Sequence, residues 1–189
     1  MNLFKLKYTG KSDEELMTLI QAKKEHALEE LYKRYSPKMN LYFCRMFYGD
    51  YEKGKDFTHD LFLKVIEKAS YFNTGMNFST WLYTLASNMC KNEFKKERIR
   101  NDTSFPSQSS NFQEDYERQI DMQSFNEELY IALKEIDYEH KTAFLLRYGS
   151  ELSIKEIACI LDCPEGTVKS RLYYTIKYLS KKLTIYKQS

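Results

Sequence analysis

Apolar residues recur every three to four positions along nearly the whole chain, the spacing of helices that bury one side. The first run opens at Ser12, with Glu15 three residues on as a capping box, and continues through Leu16, Leu19, Ile20, Ala27, Leu28, Leu31 and Tyr35. Ser36-Pro37 reads as N-cap and first position of a second helix, with Met39, Tyr42, Phe43, Met46 and Phe47 inside and Gly49-Asp50 as its breaker. A third helix is predicted from about Lys55 to Tyr71, with Phe57, Leu61, Val65, Ile66 and Ala69 on one face. Asn73-Thr74-Gly75-Met76-Asn77 is turn chemistry. A fourth helix follows from about Ser79 to Arg98, turning Trp81, Leu82, Leu85, Ala86, Met89 and Phe94 inward.

The period is lost from Asn101 to Asp121, a polar, Ser/Asn/Gln-rich stretch that reads as a tether. It resumes at Phe125, Leu129, Leu133 and Ile136, and again after Asp137 with Ala143, Phe144 and Arg147, up to Gly149. Ser153 and Glu156 make a second capping box, leading Ile157, Ala158 and Leu161. A break at Asp162-Cys163-Pro164-Glu165-Gly166 precedes a last helix, about Thr167 to Leu183. The pattern predicts an all-α fold of two small helical domains, 1–100 and 122–189, joined by a flexible linker over 101–121, the C-terminal domain being a helix-turn-helix.

Composition narrows the class. At 42% hydrophobic and 15% aromatic, the 189 residues hold enough apolar material for packed cores. No apolar run approaches the roughly 18–20 residues of a membrane span. The opening MNLFKLKYTGKSDEE shows no apolar block with a cleavage site, so a cytoplasmic protein with reduced Cys44, Cys90, Cys159 and Cys163 is expected. The net charge of +2 conceals segregation: +5 over residues 1–100, −4 over 101–121, and six basic with no acidic side chains over 169–189. Basic patches flanking an acidic connector point to a polyanionic partner.

The last helix is the sharpest signal. At 100° per residue Val168, Leu172, Ile176, Leu179 and Leu183 fall together, with Ser170, Tyr174, Lys177 and Lys181 opposite and Lys169 and Arg171 on the flanks. A recognition helix requires this arrangement: an apolar side on the preceding helices, an outer side in the major groove, and N-terminal turns at the base edges. The backbone N–H groups at Glu165–Val168 are placed to take a phosphate. A solvated face with a basic tail is the plainer alternative.

The string LSIKEIACILDCPEGTVKSRLYYTIKYL resembles the −35-reading domain of extracytoplasmic-function (ECF) sigma factors. Response-regulator helix-turn-helix domains share the EIA and TVK parts but typically place His where Arg171 stands. Upstream, LEELYKRYSPKMNLYFCRMF, GKDFTHDLFLKVIEKASYF and FSTWLYTLASNMCKNEFKKERIR resemble, in order, the first helices, the clamp-binding helix and the promoter-melting helix of the same family. The resemblance covers roughly 13–100 and 125–183.

The resemblance implies three surfaces. The third helix would dock on the β′ clamp of RNA polymerase through Asp56, Thr58, His59 and Phe62, with His59 standing where the family usually has Gln. Read without the resemblance, its charges Asp56, Asp60, Lys64 and Glu67 fit an ordinary solvated face equally well. The loop and fourth helix would read and hold open the −10 element through Asn73, Thr74, Met76, Asn77, Asn88, Lys91, Lys95 and Arg98, with Asn92 where many relatives have Asp. Cations interleaved with Tyr71, Phe72, Phe78, Trp81 and Tyr83 suit single-stranded DNA, where bases stack and phosphates meet Lys and Arg, although Trp81 reads better as core. The −35 element would fall to Thr167, Lys169, Ser170, Arg171, Tyr173, Tyr174 and Lys177. The family usually has Arg where Tyr174 stands, which exchanges a guanine contact for a thymine methyl or a phosphate.

The expected function is therefore a sigma factor: binding of core RNA polymerase (β′ clamp and β flap), reading of both promoter elements, and melting of the −10 region. An anti-sigma factor is the expected regulator. The rival reading is a stand-alone helix-turn-helix regulator that binds duplex DNA as a dimer. A third is a helical adaptor for acidic proteins or RNA. Cys159 and Cys163 lie four apart with no His pair to complete a zinc set, and no HExxH, GxSxG or phosphate-loop string occurs, so neither metal, cofactor nor catalysis is expected. Residues 101–121 extended reach at most about 70–75 Å. That just matches two promoter elements two B-DNA turns, roughly 70 Å, apart.

Overall fold

The computed structural model describes residues 8–103 and 120–183, which fold into eight α-helices with no strand among them. The N-terminal unit holds α1 (Asp13–Gln21), α2 (Glu25–Met46), α3 (Tyr51–Lys68), a single 3₁₀ turn at Ala69–Tyr71, and α4 (Phe78–Thr103). The C-terminal unit holds α5 (Ile120–Lys134), α6 (Tyr138–Phe144) running into a π-turn at Leu145–Gly149, α7 (Ile154–Ile160) and α8 (Glu165–Lys182). The stretch read as a tether lies mostly outside the described residues; helices enter it as far as Thr103 and from Ile120.

Both capping boxes form as the sequence predicts. Ser12 Oγ accepts from Glu15 N at 3.1 Å while Glu15 accepts from Ser12 N at 2.7 Å, and Ser153 and Glu156 repeat the exchange at 3.2 and 2.8 Å. Glu156 is held below the usual carboxylate range by the side-chain and backbone bonds from Ser153.

Boundaries differ from the expectation at several points: α3 starts early, at Tyr51, α4 runs on to Thr103, and the largest differences fall in α1 and α2. The first predicted run is two helices, and the second predicted helix has no start of its own: α2 passes straight through Pro37. A proline inside a helix loses one backbone bond and costs about 3 kcal/mol. Here Leu31, Tyr35, Met39, Tyr42, Phe43 and Met46 form one buried stripe on both sides of it, and burying each such side chain is worth about 1.5–3 kcal/mol. The stripe wins, and Ser36 becomes an interior residue rather than a cap.

The break between α1 and α2 comes from a Schellman-type end built without glycine. Lys24 N reaches back to Leu19 O at 3.0 Å and Lys23 N to Ile20 O at 2.8 Å, with Lys23 at φ 58°. The same geometry closes α2, with Tyr48 at φ 59° and Gly49 N on Cys44 O at 2.8 Å, and α7, with Asp162 at φ 47° and Cys163 N on Ala158 O at 3.1 Å. Left-handed backbone costs a non-glycine residue about 1–2 kcal/mol, least for Asp, so Tyr48 is the most strained of the three.

The N-terminal core is aromatic. Tyr42, Phe43, Phe47, Phe62, Phe72, Phe78 and Tyr83 are all buried, and Trp81 packs on Phe72 and Phe78 with centroids 5.0 and 6.0 Å away. The helices α2 and α3 cross at Gly54, where a Cβ would meet Asn40 Oδ1 at 3.0 Å and Cys44 N at 3.1 Å, so any side chain there would press the α2 backbone away. The C-terminal core is smaller and aliphatic, built on Leu133, Leu145, Leu146, Ile157, Ile160, Val168, Leu172 and Leu179.

The two units are packed together. Arg45 Nη1 donates to Gly149 O at 2.7 Å, Tyr138 Oη to Ser87 O at 2.5 Å, and Lys141 Nζ to Tyr48 Oη at 2.6 Å.

Candidate nucleic-acid interface

In the C-terminal unit, α7, the turn at Asp162 and α8 form a helix-turn-helix. Val168, Leu172, Thr175 and Leu179 are the buried line of α8. Ile176, predicted inside, is 42% exposed, and Thr175 takes its place at 1%. The centre of the buried arc lies between Val168 and Leu179, which puts Ile176 at its edge. Thr175 satisfies its hydroxyl by donating to Arg171 O at 2.8 Å, so burial leaves no open polar group.

The outer face of α8 carries the predicted −35 set. Lys169, Ser170, Tyr173, Tyr174 and Lys177 are exposed, while Thr167 and Arg171 are half-buried at the flanks. Tyr173 and Tyr174 meet edge to face at 5.4 Å, which fixes two phenols beside the lysines. Arg171 reaches back to Cys163 Sγ at 3.5 Å, tying the recognition helix to the turn before it. A Cβ on Gly166 would meet nothing within 4 Å, so the start of α8 stands open to an approaching backbone.

In the N-terminal unit the loop 73–77 is exposed throughout and is held from both sides by α1. Gln21 Nε2 donates to Ala69 O and Phe72 O, both at 2.9 Å, just before the loop; Glu14 Oε1 accepts from Phe78 N at 3.0 Å just after it. Inside the loop Asn73 Oδ1 accepts from Gly75 N at 2.9 Å, and Asn77 Oδ1 accepts from Thr80 N at 2.9 Å to cap α4. Thr74 and Met76 are exposed.

Further along α4, Asn88, Lys91, Lys95 and Arg98 are all exposed and recur at helical spacing, so they share one face. The two acidic residues among them are turned away. Lys53 of α3 donates to Glu93 at 3.1 Å and to Glu97 at 2.6 Å, clamping α3 to α4. Burial opposes the Lys53 ammonium, but these two bonds outweigh it and hold its pKa up. Lys91, Lys95, Lys96 and Arg98 are thereby left to dominate the outer face. Trp81 is partly buried in the aromatic core, which favours its packing role.

The predicted polymerase residues divide. Asp56 and His59 are exposed on α3, whereas Thr58 is 3% and Phe62 4% exposed. Thr58 donates to Gly54 O at 2.8 Å and Phe62 stacks near Tyr32 at 4.7 Å, so both shape the face from beneath. Between α2 and α3 lies a cleft of about 180 Å³ lined by Tyr32, Ser36, Pro37, Asn40, Lys55, Thr58 and His59. Asn40 Oδ1 there is buried with no hydrogen-bond partner. Neither the cleft nor the seam between the units was legible as a site in the sequence. Among the described residues no group of His, Cys, Asp and Glu is gathered to hold a metal ion, and no helix is long and apolar enough to cross a membrane.

Two helical units, one with an exposed polar loop leading into a basic helix face and one with a helix-turn-helix, define a two-part DNA-reading factor. The family Sigma-70 region 2 matches residues 31–99 and the family Sigma-70, region 4 matches residues 127–178, together more than half of the chain. The RNA polymerase sigma-H factor of Pseudomonas aeruginosa is 25% identical over 93% of this chain and 95% of its own length. The ECF RNA polymerase sigma-E factor of Escherichia coli is 25% identical over 92% of this chain and 89% of its own. Among solved structures, the sigma factor RpoE of Bartonella quintana with the anti-sigma factor NepR superposes with a TM-score of 0.67 at 22% identity, covering 83% of this chain and 96% of that one. CnrH with the cytosolic domain of CnrY gives 0.70 at 16% identity, covering 93% and 99%. The chain belongs to the sigma-70 family, as an ECF sigma factor that directs promoter-specific transcription initiation.

Proposed function

We propose that the residues divide the work of initiation as follows. Loop 73–77 takes unstacked bases of the −10 element, and Asn88, Lys91, Lys95 and Arg98 hold the separated strand along α4. The face Lys169–Lys177 of α8 reads the −35 element from the major groove. Asp56 and His59, with Thr58 and Phe62 beneath them, form the docking face for the polymerase clamp, and Asn40 Oδ1 in the adjoining cleft accepts a hydrogen bond from it. The observation that carries this reading is the division of α8 into a buried aliphatic line and an outer face of lysines and paired tyrosines.

The chemistry is binding and strand separation rather than covalent catalysis, and it takes place in the cytoplasm, where core polymerase works. The solved relatives are held in complexes, one of them with an anti-sigma factor, and a protein of that kind is the natural regulator of this chain. The stand-alone regulator reading has no use for the α3 face or the −10 loop and is not favoured.

The test is transcription in vitro with core polymerase on fragmented genomic DNA of the source, mapping the starts with and without this protein. New starts sharing two upstream motifs about two helical turns apart support the reading. A protein that shifts duplex DNA alone and yields no new starts overturns it.

A further inference from the structure

Five aromatic residues surround the −10 loop in the sequence: Tyr71, Phe72, Phe78, Trp81 and Tyr83. The fold takes four of them into its interior. Phe72, Phe78 and Tyr83 are buried, and Trp81 is partly buried against Phe72 and Phe78. Tyr71 is 83% exposed, the most open of the large apolar side chains among the described residues. A single exposed ring is ordinary on a protein surface. What sets Tyr71 apart is how it is mounted and what it stands beside.

Tyr71 closes the 3₁₀ turn Ala69–Tyr71. In that geometry residues three apart eclipse, so Ala69 and Phe72 share the inner side and Ser70 and Tyr71 stand outward. Gln21 Nε2 donates to carbonyls on either side of Tyr71, Ala69 O and Phe72 O, each at 2.9 Å. Phe72 N also bonds to Ala69 O at 3.1 Å. The Phe72 ring is then wedged against Phe78 and Trp81 in the first turn of α4, with centroids 6.0 and 5.0 Å away. The backbone of Tyr71 is thus fixed to α1 and to α4, while its ring is free. A tyrosine on a rigid backbone has only two torsions to fix on binding, so ordering its ring costs little entropy.

The mount lies next to the reading loop. Asn73 is two positions on, no more than about 7 Å along the backbone. Successive nucleotides of a strand are spaced by about 3.4 Å in the duplex and further when the strand is drawn out. A base taken by loop 73–77 therefore brings its neighbour within reach of a ring mounted there. Lys91, Lys95 and Arg98 of α4 supply the cations that such a strand needs.

We propose that Tyr71 is the stacking platform of the −10 site: its ring lies against the base next to the one taken by loop 73–77 and keeps it from returning to the duplex. The proposal rests on the −10 reading above and names the residue that carries its sequence-independent part. Every base has a π-face, so stacking on Tyr71 adds strength without adding letters. The letters belong to the polar groups of the loop, which can meet base edges.

Holoenzyme assembled from core polymerase and the full chain is the material for the test. It is titrated with single-stranded oligonucleotides carrying the −10 sequence of a mapped promoter, each abasic at one position in turn. With the wild type, an abasic site next to the captured base is expected to weaken binding by roughly 5- to 100-fold. Tyr71→Ala is expected to lose the same factor on the intact strand and to lose nothing more on that abasic strand. Tyr71→Phe, which keeps the ring, restores the loss. Starts mapped with Tyr71→Ala keep the same −10 letters. Tyr71→Ala binding the intact strand as tightly as wild type overturns the platform, and so does a loss that adds in full to that of every abasic site. A Tyr71→Ala chain that binds the strand normally but is no longer retained on core polymerase assigns the ring to the polymerase and overturns it as well. A wild-type holoenzyme that binds no −10 strand overturns the −10 reading itself, an outcome separate from the failure of Tyr71 alone.

Discussion

The two halves of this molecule are stabilised differently. The region 2 unit closes on itself: aromatic rings interlock from Tyr35 to Tyr83, and Lys53 staples α3 to α4 through Glu93 and Glu97. The region 4 unit is about two-thirds as long and relies on an aliphatic core, and its buried Lys141 donates to Tyr48 of the other unit. Small domains bury a smaller share of their surface and gain more from a partner. The difference teaches that the larger half carries its proposed reading loop on a self-sufficient core, whereas the smaller half draws part of its burial from its neighbour.

The strongest way to separate the halves is at the smaller one. Lys169→Ala with Arg171→Ala removes two cations from the first turns of α8, the end proposed to meet base edges, and base or phosphate contacts of this kind are worth about 1–3 kcal/mol each. Promoter-specific initiation in run-off transcription is expected to fall about 100-fold or more, while retention on core polymerase in a native gel stays unchanged. Survival of initiation would remove α8 from −35 recognition.

Next comes the larger half. Phe43 and Phe78 are fully buried, and Phe78→Ala is expected to cost about 3–5 kcal/mol, read as a lowered thermal midpoint of the whole chain. Leu179→Ala at 5% exposure should cost about 2–3 kcal/mol and release the smaller half alone, visible as a first, smaller step in denaturant. Equal and simultaneous losses would erase the distinction between the halves.

The seam gives a pH signature. Lys141, held near 8 where the two units pack and at its ordinary 10.5 when they separate, favours packing as it loses its proton. The packing of the two units should therefore tighten as the pH rises from 8 toward about 10.5, with no Lys141-linked change below pH 8. Scattering profiles at pH 7 and 9.5 measure this, with Lys141→Met abolishing the difference. The smallest expected effect is at Ile176, which the structure leaves half in solvent: Ile176→Ser should change the melting free energy by no more than about 0.5 kcal/mol.

What the sequence revealed followed from how local the determinants are. Ser12/Glu15 and Ser153/Glu156 are closed three residues apart, so both helix starts were readable. The turn Asn73–Asn77 and the outer face of α8 were likewise written in adjacent residues. The end of α1 was not, because it is made by Lys23 in a conformation usually signalled by glycine. Pro37 misled because its effect is decided by the stripe it interrupts, which packs on α3. Lys141 sits in an ordinary polar position of α6, and nothing within its own helix announces Tyr48 or Phe94, 93 and 47 residues upstream. Tertiary contacts of that span leave no periodic trace.

The anchoring of loop 73–77 by Glu14 and Gln21 has a consequence for the transfer of promoter specificity. These two residues lie on α1, ahead of the stretch that matches region 2, and they hold both ends of the loop proposed to take a base. A chimera that grafts another sigma factor's loop and α4 while keeping a foreign α1 would inherit the letters of recognition without their mounting. On the proposed reading, specificity belongs to a composite of loop and remote frame, and the two are exchanged together or not at all.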